Sequence, residues 1–313
     1  MLRSARIAVF AMAAVVLAGM SAAAEDRVQL ALKFEAAEEA EYEVTLSGSG
    51  GFRSPDGELV PLGVQGGLRV AYRVVEVLPD GTGRLEVTMP TVQVQMNVGP
   101  ERAQFAYENG RLRWYANGRE HVPPDTDLGQ LPLLGSPVSV TVAPNGRVVD
   151  VTMPQVPALG AAKQAVPGLS VEQMQNLGDP LFPDQPVAVG ETWRRSCDLM
   201  PLGPSMPISM TTSRTLSSLT QEGAMSLARI TGHSEAIFRA APLTVSPGDS
   251  QMTVGLPELR KTVTSTEFFN AAEGRLVRAD YEVAISTRGA LEVGGEEQDV
   301  GFEARFHTTV QAR

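Results

Sequence analysis

Five consecutive residues, Gly232 to Ala236, come close to the G-x-S-x-G motif that presents the nucleophilic serine of many hydrolases. That motif requires a sharp turn from a strand into a helix, which exposes the serine hydroxyl to the substrate. Here alanine replaces the last glycine, and the residues on both sides of Ser234 have the pattern of a strand with no helix after it. We therefore expect Ser234 to be an ordinary strand residue without a catalytic role.

The three histidines are too far apart in the sequence to form a metal-binding motif. His121, His233 and His307 show neither paired spacing nor a His-Glu-x-x-His pattern. A catalytic histidine can be brought to its partners by folding, which leaves a triad open, but a surface or strand histidine is the favoured interpretation of each. We predict no catalytic residue, no metal site and no cofactor, and we expect that the protein is not an enzyme.

Two further segments carry groups that bind metal ions in other proteins. The acidic stretch Asp125–Asp127 offers carboxylates to Ca²⁺, but the glutamate that completes a calcium loop is absent downstream, so a solvated acidic loop is favoured. Met200, Met206 and Met210 offer thioethers to Cu(I). Apolar packing is the commoner role of such methionines and is favoured here.

Cys197 is the single cysteine of the chain, so that no disulfide can form within it. The neighbouring Arg194 and Arg195 would favour a reactive thiolate, whereas a small, buried or half-buried strand residue is the more common role. Whether Cys197 is free or pairs with another molecule stays open. The fold must be held by apolar burial and hydrogen bonds alone.

The N-terminal residues have the pattern of a secretory signal peptide. Arg3 and Arg6 precede an apolar run over 7–20, which is shorter than the roughly 20 residues that span a bilayer. Small residues at 22–24 then precede Glu25, which predicts cleavage after Ala24 and a secreted or periplasmic protein. An uncleaved membrane anchor is the alternative.

The balance of charge is acidic. The chain has 36 Asp and Glu against 26 Lys and Arg, a formal net charge of −10 at pH 7, and the charges are interspersed. Such a surface repels phosphate backbones and anionic headgroups, so we expect neither nucleic-acid binding nor electrostatic docking on a membrane. After the signal peptide no stretch is long and apolar enough to predict a membrane span.

Apolar residues alternate with polar ones along most of the chain, which is typical of β-strands. The pairs Asn109-Gly110, Asn117-Gly118 and Asn145-Gly146 predict hairpin turns, because both residues tolerate a positive φ. Apolar positions change from odd to even numbers across Pro90, which predicts a bulge or bend there. The glycine-rich stretch from Ser47 to Gly67 predicts a long, mobile loop.

The segment 154–183 has a different composition, rich in alanine, glutamine and proline. Ser170 can cap a helix in which Val171, Met174 and Leu177 share one face, so a short helical insert is predicted here. It separates an N-terminal β half (25–153) from a C-terminal β half (184–313). The predicted fold is mainly β, with curved antiparallel sheets of half-barrel or sandwich-like form; whether the halves are a repeat stays open.

The segment from Leu181 to Trp193 contains Phe-Pro-x-x-Pro-Val-x-x-Gly-Glu-x-Trp. It resembles a family of uncharacterised secreted bacterial proteins, known only as a domain of unknown function. An early strand from Leu32 to Tyr42 and a turn at Glu273–Leu276 are also similar to that family. The resemblance implies a β-rich exported protein and assigns no catalytic residue.

Two functions fit these observations best. The first is a non-catalytic envelope protein that binds an apolar molecule, a lipid or the apolar part of a partner in a Met- and Val-lined curved sheet. The second is a structural or protein-interaction module of the cell envelope that uses its sheet edges and the Ser47–Gly67 stretch. An exported hydrolase is third. The ligand, the partner and the oligomeric state do not follow from the sequence.

Overall fold

The computed structural model describes residues 27–53, 57–121, 134, 136–152, 181–199, 208–223, 225–238, 243–245, 252–293 and 296–313. Every regular element in these ranges is a strand, which confirms the predicted mainly β fold. The strands are β1 (Glu39–Arg53), β2 (Leu59–Val77), β3 (Gly83–Val98), β4 (Glu101–Glu108), β5 (Arg111–Ala116), β6 (Arg119–His121), β7 (Val138–Val142), β8 (Val148–Thr152), β9 (Thr192–Leu199), β10 (Ile208–Glu222), β11 (Met225–Phe238), β12 (Leu243–Val245), β13 (Met252–Asn270), β14 (Arg275–Val293) and β15 (Glu296–Ala312).

The strands form one curved antiparallel sheet in the order β6-β5-β4-β3-β2-β1-β15-β14-β13-β11-β10-β9. Along this path most neighbours follow one another in the chain, and the pairing of β1 with β15 joins the two halves. The hairpin of β7 and β8 attaches to β3, and β12 pairs with β13. Along this path the described sheet ends at β6 and β9, while β8 and β12 each have one described strand partner.

Directly paired residues of antiparallel strands point to the same face of a sheet, so the register defines two faces. We call the face that carries Val44, Leu68 and Val92 the inner face. The opposite face, which carries Thr45 and Gln93, is the outer face. The apolar alternation seen in the sequence places most large apolar side chains on the inner face.

Two apolar cores lie on the inner face, one in each half. The larger one contains Leu30, Phe182, Val187, Leu216, Ala228, Ile230 and Phe269, and the smaller one contains Val74, Leu85 and Val142. Leu32 packs against both. The N-terminal segment 27–38 therefore links the two halves through its side chains.

Backbone hydrogen bonds hold this N-terminal segment to both halves. The amide of Leu32 donates to the carbonyl of Pro144 at 2.7 Å, and the amide of Lys33 donates to that of Gly274 at 3.2 Å. Gly274 has a φ of +69°, and a Cβ there would lie 2.4 Å from the Lys33 nitrogen. A glycine is required because the turn needs a positive φ and the neighbouring backbone approaches so closely.

The predicted irregularity at Pro90 is confirmed. Arg69 pairs with Thr91 but Ala71 pairs with Thr88, so β3 contains one residue more than β2 in this stretch. The extra residue returns the later apolar side chains to the inner face. β3 also changes neighbours here, from β7 over 83–87 to β4 over 91–98.

All three predicted Asn-Gly turns are confirmed. Both residues have positive φ at Asn109-Gly110 (52° and 74°) and at Asn117-Gly118 (51° and 75°), as a two-residue type I′ hairpin requires. The third turn is built differently: the Ala143 amide donates to the Arg147 carbonyl at 2.9 Å, and Gly146 has a φ of 82°.

The prediction of a long, mobile loop over Ser47–Gly67 is wrong, because β1 continues to Arg53 and β2 begins at Leu59. The glycines serve close packing between strands. A Cβ at Gly48 would lie 2.2 Å from the Phe306 ring, and one at Gly50 would lie 2.6 Å from the Ala304 Cα. Both neighbouring strands bond to β1, and these hydrogen bonds offset the entropy cost of ordering glycine.

Two predictions fall on parts of the chain that the structure does not describe. The signal peptide at 1–24 lies outside the described residues, as does most of the predicted helical insert, from 153 to 180. Residues 181–183 are described and are not helical. Phe182 is buried there, with its ring 4.7 Å from the Phe269 ring, centroid to centroid.

Candidate functional site

The inner face of the N-terminal half is apolar beyond the core. Val64 pairs with Met96, Leu62 with Val98, and Val94 with Phe105, which in turn pairs with Trp114. We call this set, together with Phe52, the apolar zone. Its members Phe52, Met96, Val98 and Trp114 are each more than a third exposed.

The outer face of the same strands is polar. Gln65 pairs with Gln95, and Gln95 pairs with Gln104. Thus the two faces of one strand pair differ in chemistry, although both are partly open to solvent. Exposed apolar side chains gathered on one face are typical of a binding surface.

On the inner face of the C-terminal half, beyond its core, polar side chains are gathered among apolar ones such as Met210 and Val263. We call this region the polar zone; its members are Arg195, Thr212, Arg214, Ser234, Lys261, Ser265, Glu267 and Tyr281. They lie on neighbouring strands from β9 to β14. Glu267 is buried and the others are half-buried.

A buried ion pair lies in the part of the polar zone next to the larger core. The Nη1 atom of Arg214 donates to Oε2 of Glu267 at 3.2 Å, with side chains 15% and 6% exposed. The Ser265 hydroxyl donates to the other carboxylate oxygen, also at 3.2 Å. Arg214 lies on β10 and Glu267 on β13, so the ion pair crosses over β11, which lies between them. At the crossing point β11 has Gly232, which has no side chain; a Cβ there would lie 2.3 Å from the Ser265 hydroxyl.

Tyr281 lies close enough to Glu267 and Arg214 for their charges to act on its phenol, and it completes this cluster. Burial raises the pKa of the Tyr281 phenol well above its usual value, and the negative charge of Glu267 raises it further, while Arg214 opposes the shift. The phenol therefore stays protonated at neutral pH. The cluster is a satisfied buried network.

Hydrogen bonding is less complete in the part of the polar zone around Thr212, Ser234 and Arg195. The hydroxyls of Thr212 and Ser234 lie 2.9 Å apart. The Nη2 atom of Arg195 donates to the Phe182 carbonyl at 3.0 Å, whereas its buried Nε atom has no hydrogen-bond partner among the described residues. The zone thus contains an N–H group of a cationic side chain from which no described residue accepts a hydrogen bond.

The polar zone is cationic. Its charged side chains are Arg195, Arg214, Lys261 and Glu267, which give a formal charge of +2. The whole chain has a net charge of −10. The charge of the polar zone therefore has the opposite sign to that of the protein as a whole.

The predicted strand role of Ser234 is confirmed. It lies within β11, paired with Thr212 and Val263, and no turn into a helix follows. His233, the preceding residue, points to the outer face, since successive side chains of a strand alternate. The serine and the histidine are therefore on opposite sides of the sheet.

The other candidates are dispersed. His121 ends β6, His307 lies on β15, and Cys197 lies on β9 paired with Met210 of β10, so its predicted position in a strand is confirmed. Met200, Met206 and the stretch Asp125–Asp127 lie outside the described residues. In the described ranges no three His, Cys, Asp or Glu side chains are placed to hold a metal ion.

A depression of about 680 Å³ lies on the outer face, across β13, β14, β15 and β1. Ser47, His307 and Glu282 form one row across it. Nucleophilic catalysis would need hydrogen bonds from serine to histidine and from histidine to the acid. None joins these three among the described residues, so the row is not an assembled triad.

The segment that resembles a family of secreted proteins has a structural role. Val187 and Phe182 belong to the larger core. Trp193 Nε1 donates to the Leu181 carbonyl at 3.1 Å, and the Glu191 carboxylate accepts from the Ala188 amide at 3.1 Å and from Arg27 at 2.7 Å. The membership itself stays a prediction.

No protein-family model and no curated protein matches the chain. Among solved structures, an outer membrane channel from Pseudomonas putida F1 is 8% identical over 92% of this chain and 98% of its own, with a TM-score of 0.23. OccK5 (OpdH) and OpdQ of Pseudomonas aeruginosa are 7% and 6% identical, cover 90% and 88% of this chain and 99% of their own, and have TM-scores of 0.22 and 0.23. TM-scores this low do not establish a shared fold.

No helix long and apolar enough to cross a membrane is present in the described ranges.

Proposed function

We propose that this protein is a non-catalytic protein of the cell envelope that binds an apolar molecule or a lipid on the inner face of its sheet. The observation that carries the proposal is the apolar zone, where Phe52, Met96, Val98 and Trp114 remain more than a third exposed. A bound apolar molecule would remove this surface from water.

The contrast between the two faces supports a ligand. Opposite the apolar zone, the outer face of β2, β3 and β4 carries the exposed glutamines Gln65, Gln95 and Gln104. Exposure alone therefore does not explain the apolar residues on the inner face of the same strands. A surface that is apolar and open is expected where another molecule binds.

The energy available is sufficient for useful affinity. Each methylene group that leaves water contributes about 0.8 kcal/mol, so a chain of about 12 methylenes contributes roughly 10 kcal/mol before the cost of association. Location in the envelope rests on the predicted signal peptide. The arrangement needs no catalytic group.

Native mass spectrometry of the mature protein, purified from its own envelope, tests the proposal. We expect an added mass that organic extraction removes and identifies as an apolar compound. The extracted protein should bind the neutral apolar dye N-phenyl-1-naphthylamine. Met96→Lys should weaken dye binding, whereas Gln95→Lys, one residue away on the outer face, should not. A bare mass together with no dye binding would overturn the proposal.

The open edges of the sheet favour a second candidate, a structural or protein-interaction module. β9, with eight residues, has a strand partner on one side only in the described sheet. An unpaired edge can accept a strand of another chain. Under this candidate the purified protein would carry a stoichiometric protein partner and no extractable compound.

A further inference from the structure

We infer that the ligand of the inner face is an anionic amphiphile, whose charged head group lies in the polar zone and whose apolar chain crosses to the apolar zone. The inference rests on the proposed function and names the chemical class of its ligand. It is carried by the continuity of the two zones and by their opposite chemistry.

A single row of paired residues connects the zones. From the polar to the apolar side it runs through six adjacent strands: Lys261, Ile285, Ala304, Gly50, Leu62 and Val98. Neighbouring strands are about 4.8 Å apart, so the row extends over roughly 24 Å. Lys261 is the cationic member of this stretch and the other five members are apolar; beyond Lys261 the same row continues through Ala236 and Met210, beside the polar zone. The stretch from Lys261 to Val98 has the length and polarity of a long-chain amphiphile.

The central members of this row are small residues, and aromatic residues flank them on the same face. Ala304 and Gly50, at the centre, carry a methyl group and no side chain. On β15 the inner-face positions to either side of Ala304 are Phe302 and Phe306, and on β1 Phe52 lies two residues beyond Gly50. Ala304 is 3% exposed, so an apolar chain that crosses the sheet here would lie against the flanking aromatic rings.

Charge identifies the head group as anionic. Glu267 neutralises the charge of Arg214, so the net positive charge of the polar zone comes from Lys261 and Arg195. The Nε atom of Arg195 has no hydrogen-bond partner in the part of the chain that the structure describes. In this half-buried setting a carboxylate or phosphate is attracted more strongly than in water, whereas a cationic head group is repelled.

The hydroxyls of Thr212 and Ser234 lie between the two cationic residues along the sheet. Such groups can donate to oxygen atoms of a head group. The charges of Lys261 and Arg195 supply the preference for an anion.

Two ligands with the same hydrocarbon chain and different head groups test the head-group assignment separately from the binding of the hydrocarbon chain. Myristate and myristyl alcohol differ only at the head, and each is titrated against the extracted mature protein carrying N-phenyl-1-naphthylamine. We expect myristate to displace the dye at about ten-fold lower concentration than the alcohol, because a charged hydrogen bond forms only with the acid. This preference should shrink in high salt.

Lys261→Gln should remove most of the preference while leaving the affinity for myristyl alcohol unchanged. Arg260→Gln is the matched control, since it removes one positive charge from the adjacent residue on the outer face and should leave the preference intact. If the wild-type protein binds both ligands equally well, the head-group assignment is wrong and the proposed function stands. If it binds neither ligand nor the dye, the proposed function itself is overturned.

Discussion

The two halves of the sheet use the same face in different ways. In the C-terminal half the inner face holds the larger apolar core and a buried Arg214–Glu267 pair. In the N-terminal half a smaller core, built on Val74, Leu85 and Val142, gives way to apolar side chains that remain exposed. The core and the ion pair of the C-terminal half therefore stabilise the fold, whereas the apolar zone of the N-terminal half remains exposed. This division makes stability and binding separable by mutation.

The largest effect is expected at the buried ion pair. Glu267→Leu leaves the Arg214 guanidinium buried without its counter-charge, which should lower the free energy of unfolding by about 3–5 kcal/mol. Urea denaturation followed by circular dichroism measures the loss.

The double variant Arg214→Met/Glu267→Leu is the control for this prediction. Because it removes both charges and keeps the volume apolar, it should be more stable than Glu267→Leu alone. If the single variant is as stable as the wild type, the pair does not stabilise the C-terminal half, and the contrast between the halves disappears.

The next effect compares the two cores directly. Leu216→Ala in the larger core and Leu85→Ala in the smaller core both remove buried methyl groups, and such changes cost about 2–5 kcal/mol. Leu216 is fully buried among many neighbours, so its replacement should lie near the upper end and that of Leu85 near the lower end. Equal losses in urea denaturation would contradict the asymmetry.

Alkaline pH should reveal the buried phenol of the C-terminal half. Burial raises the pKa of Tyr281 in the folded protein, whereas the unfolded chain loses that proton near pH 10. The contribution of Tyr281 to stability is thus complete below about pH 10 and is lost as pH rises through the folded-state pKa, by about 1.4 kcal/mol per pH unit.

Tyr281→Phe should make this decline above pH 10 shallower, as measured by urea denaturation at a series of pH values. Tyr42, whose pKa burial also raises, should retain its own contribution in the variant. An unchanged slope would show that Tyr281 does not ionise differently in the folded and unfolded states.

The smallest change in stability is expected in the apolar zone. Met96→Lys replaces an exposed side chain outside both cores, so the free energy of unfolding should change by no more than about 0.5 kcal/mol. Its thermal midpoint should match that of Gln95→Lys. A large loss for Met96→Lys alone would place the apolar zone within the core and remove its availability for a ligand.

Local signals predicted the turns and the bulge correctly. The Asn-Gly pairs act through backbone conformations available to those two residues, and the change of alternation at Pro90 follows from the two-residue period of a strand. Both depend on neighbours in the chain, and the sequence contains them in full. The prediction for Ser47–Gly67 is wrong because Gly48 and Gly50 allow β15 to pack closely against β1. β15 is distant in sequence, so this contact leaves no local signal.

The buried polar cluster was missed for a related reason. Ser265 and Glu267 have the same parity as Val263 in β13, and Arg214 lies between Thr212 and the buried Leu216 in β10. Polar residues at inward positions of two strands were the available signal. That they form a pair across β11 depends on which strands are neighbours, and strand order cannot be read from alternation.

The amino-acid sequence by itself determined the β-rich class, the positions of tight turns and which side chains of each strand share a face. These properties follow from backbone conformation and from the two-residue period. Only the tertiary structure decided that β1 and β15 meet, that Arg214 reaches Glu267, and that a cationic zone continues into an apolar one. Each of these depends on contacts between residues far apart in the chain, whose formation is governed by the packing of the whole sheet.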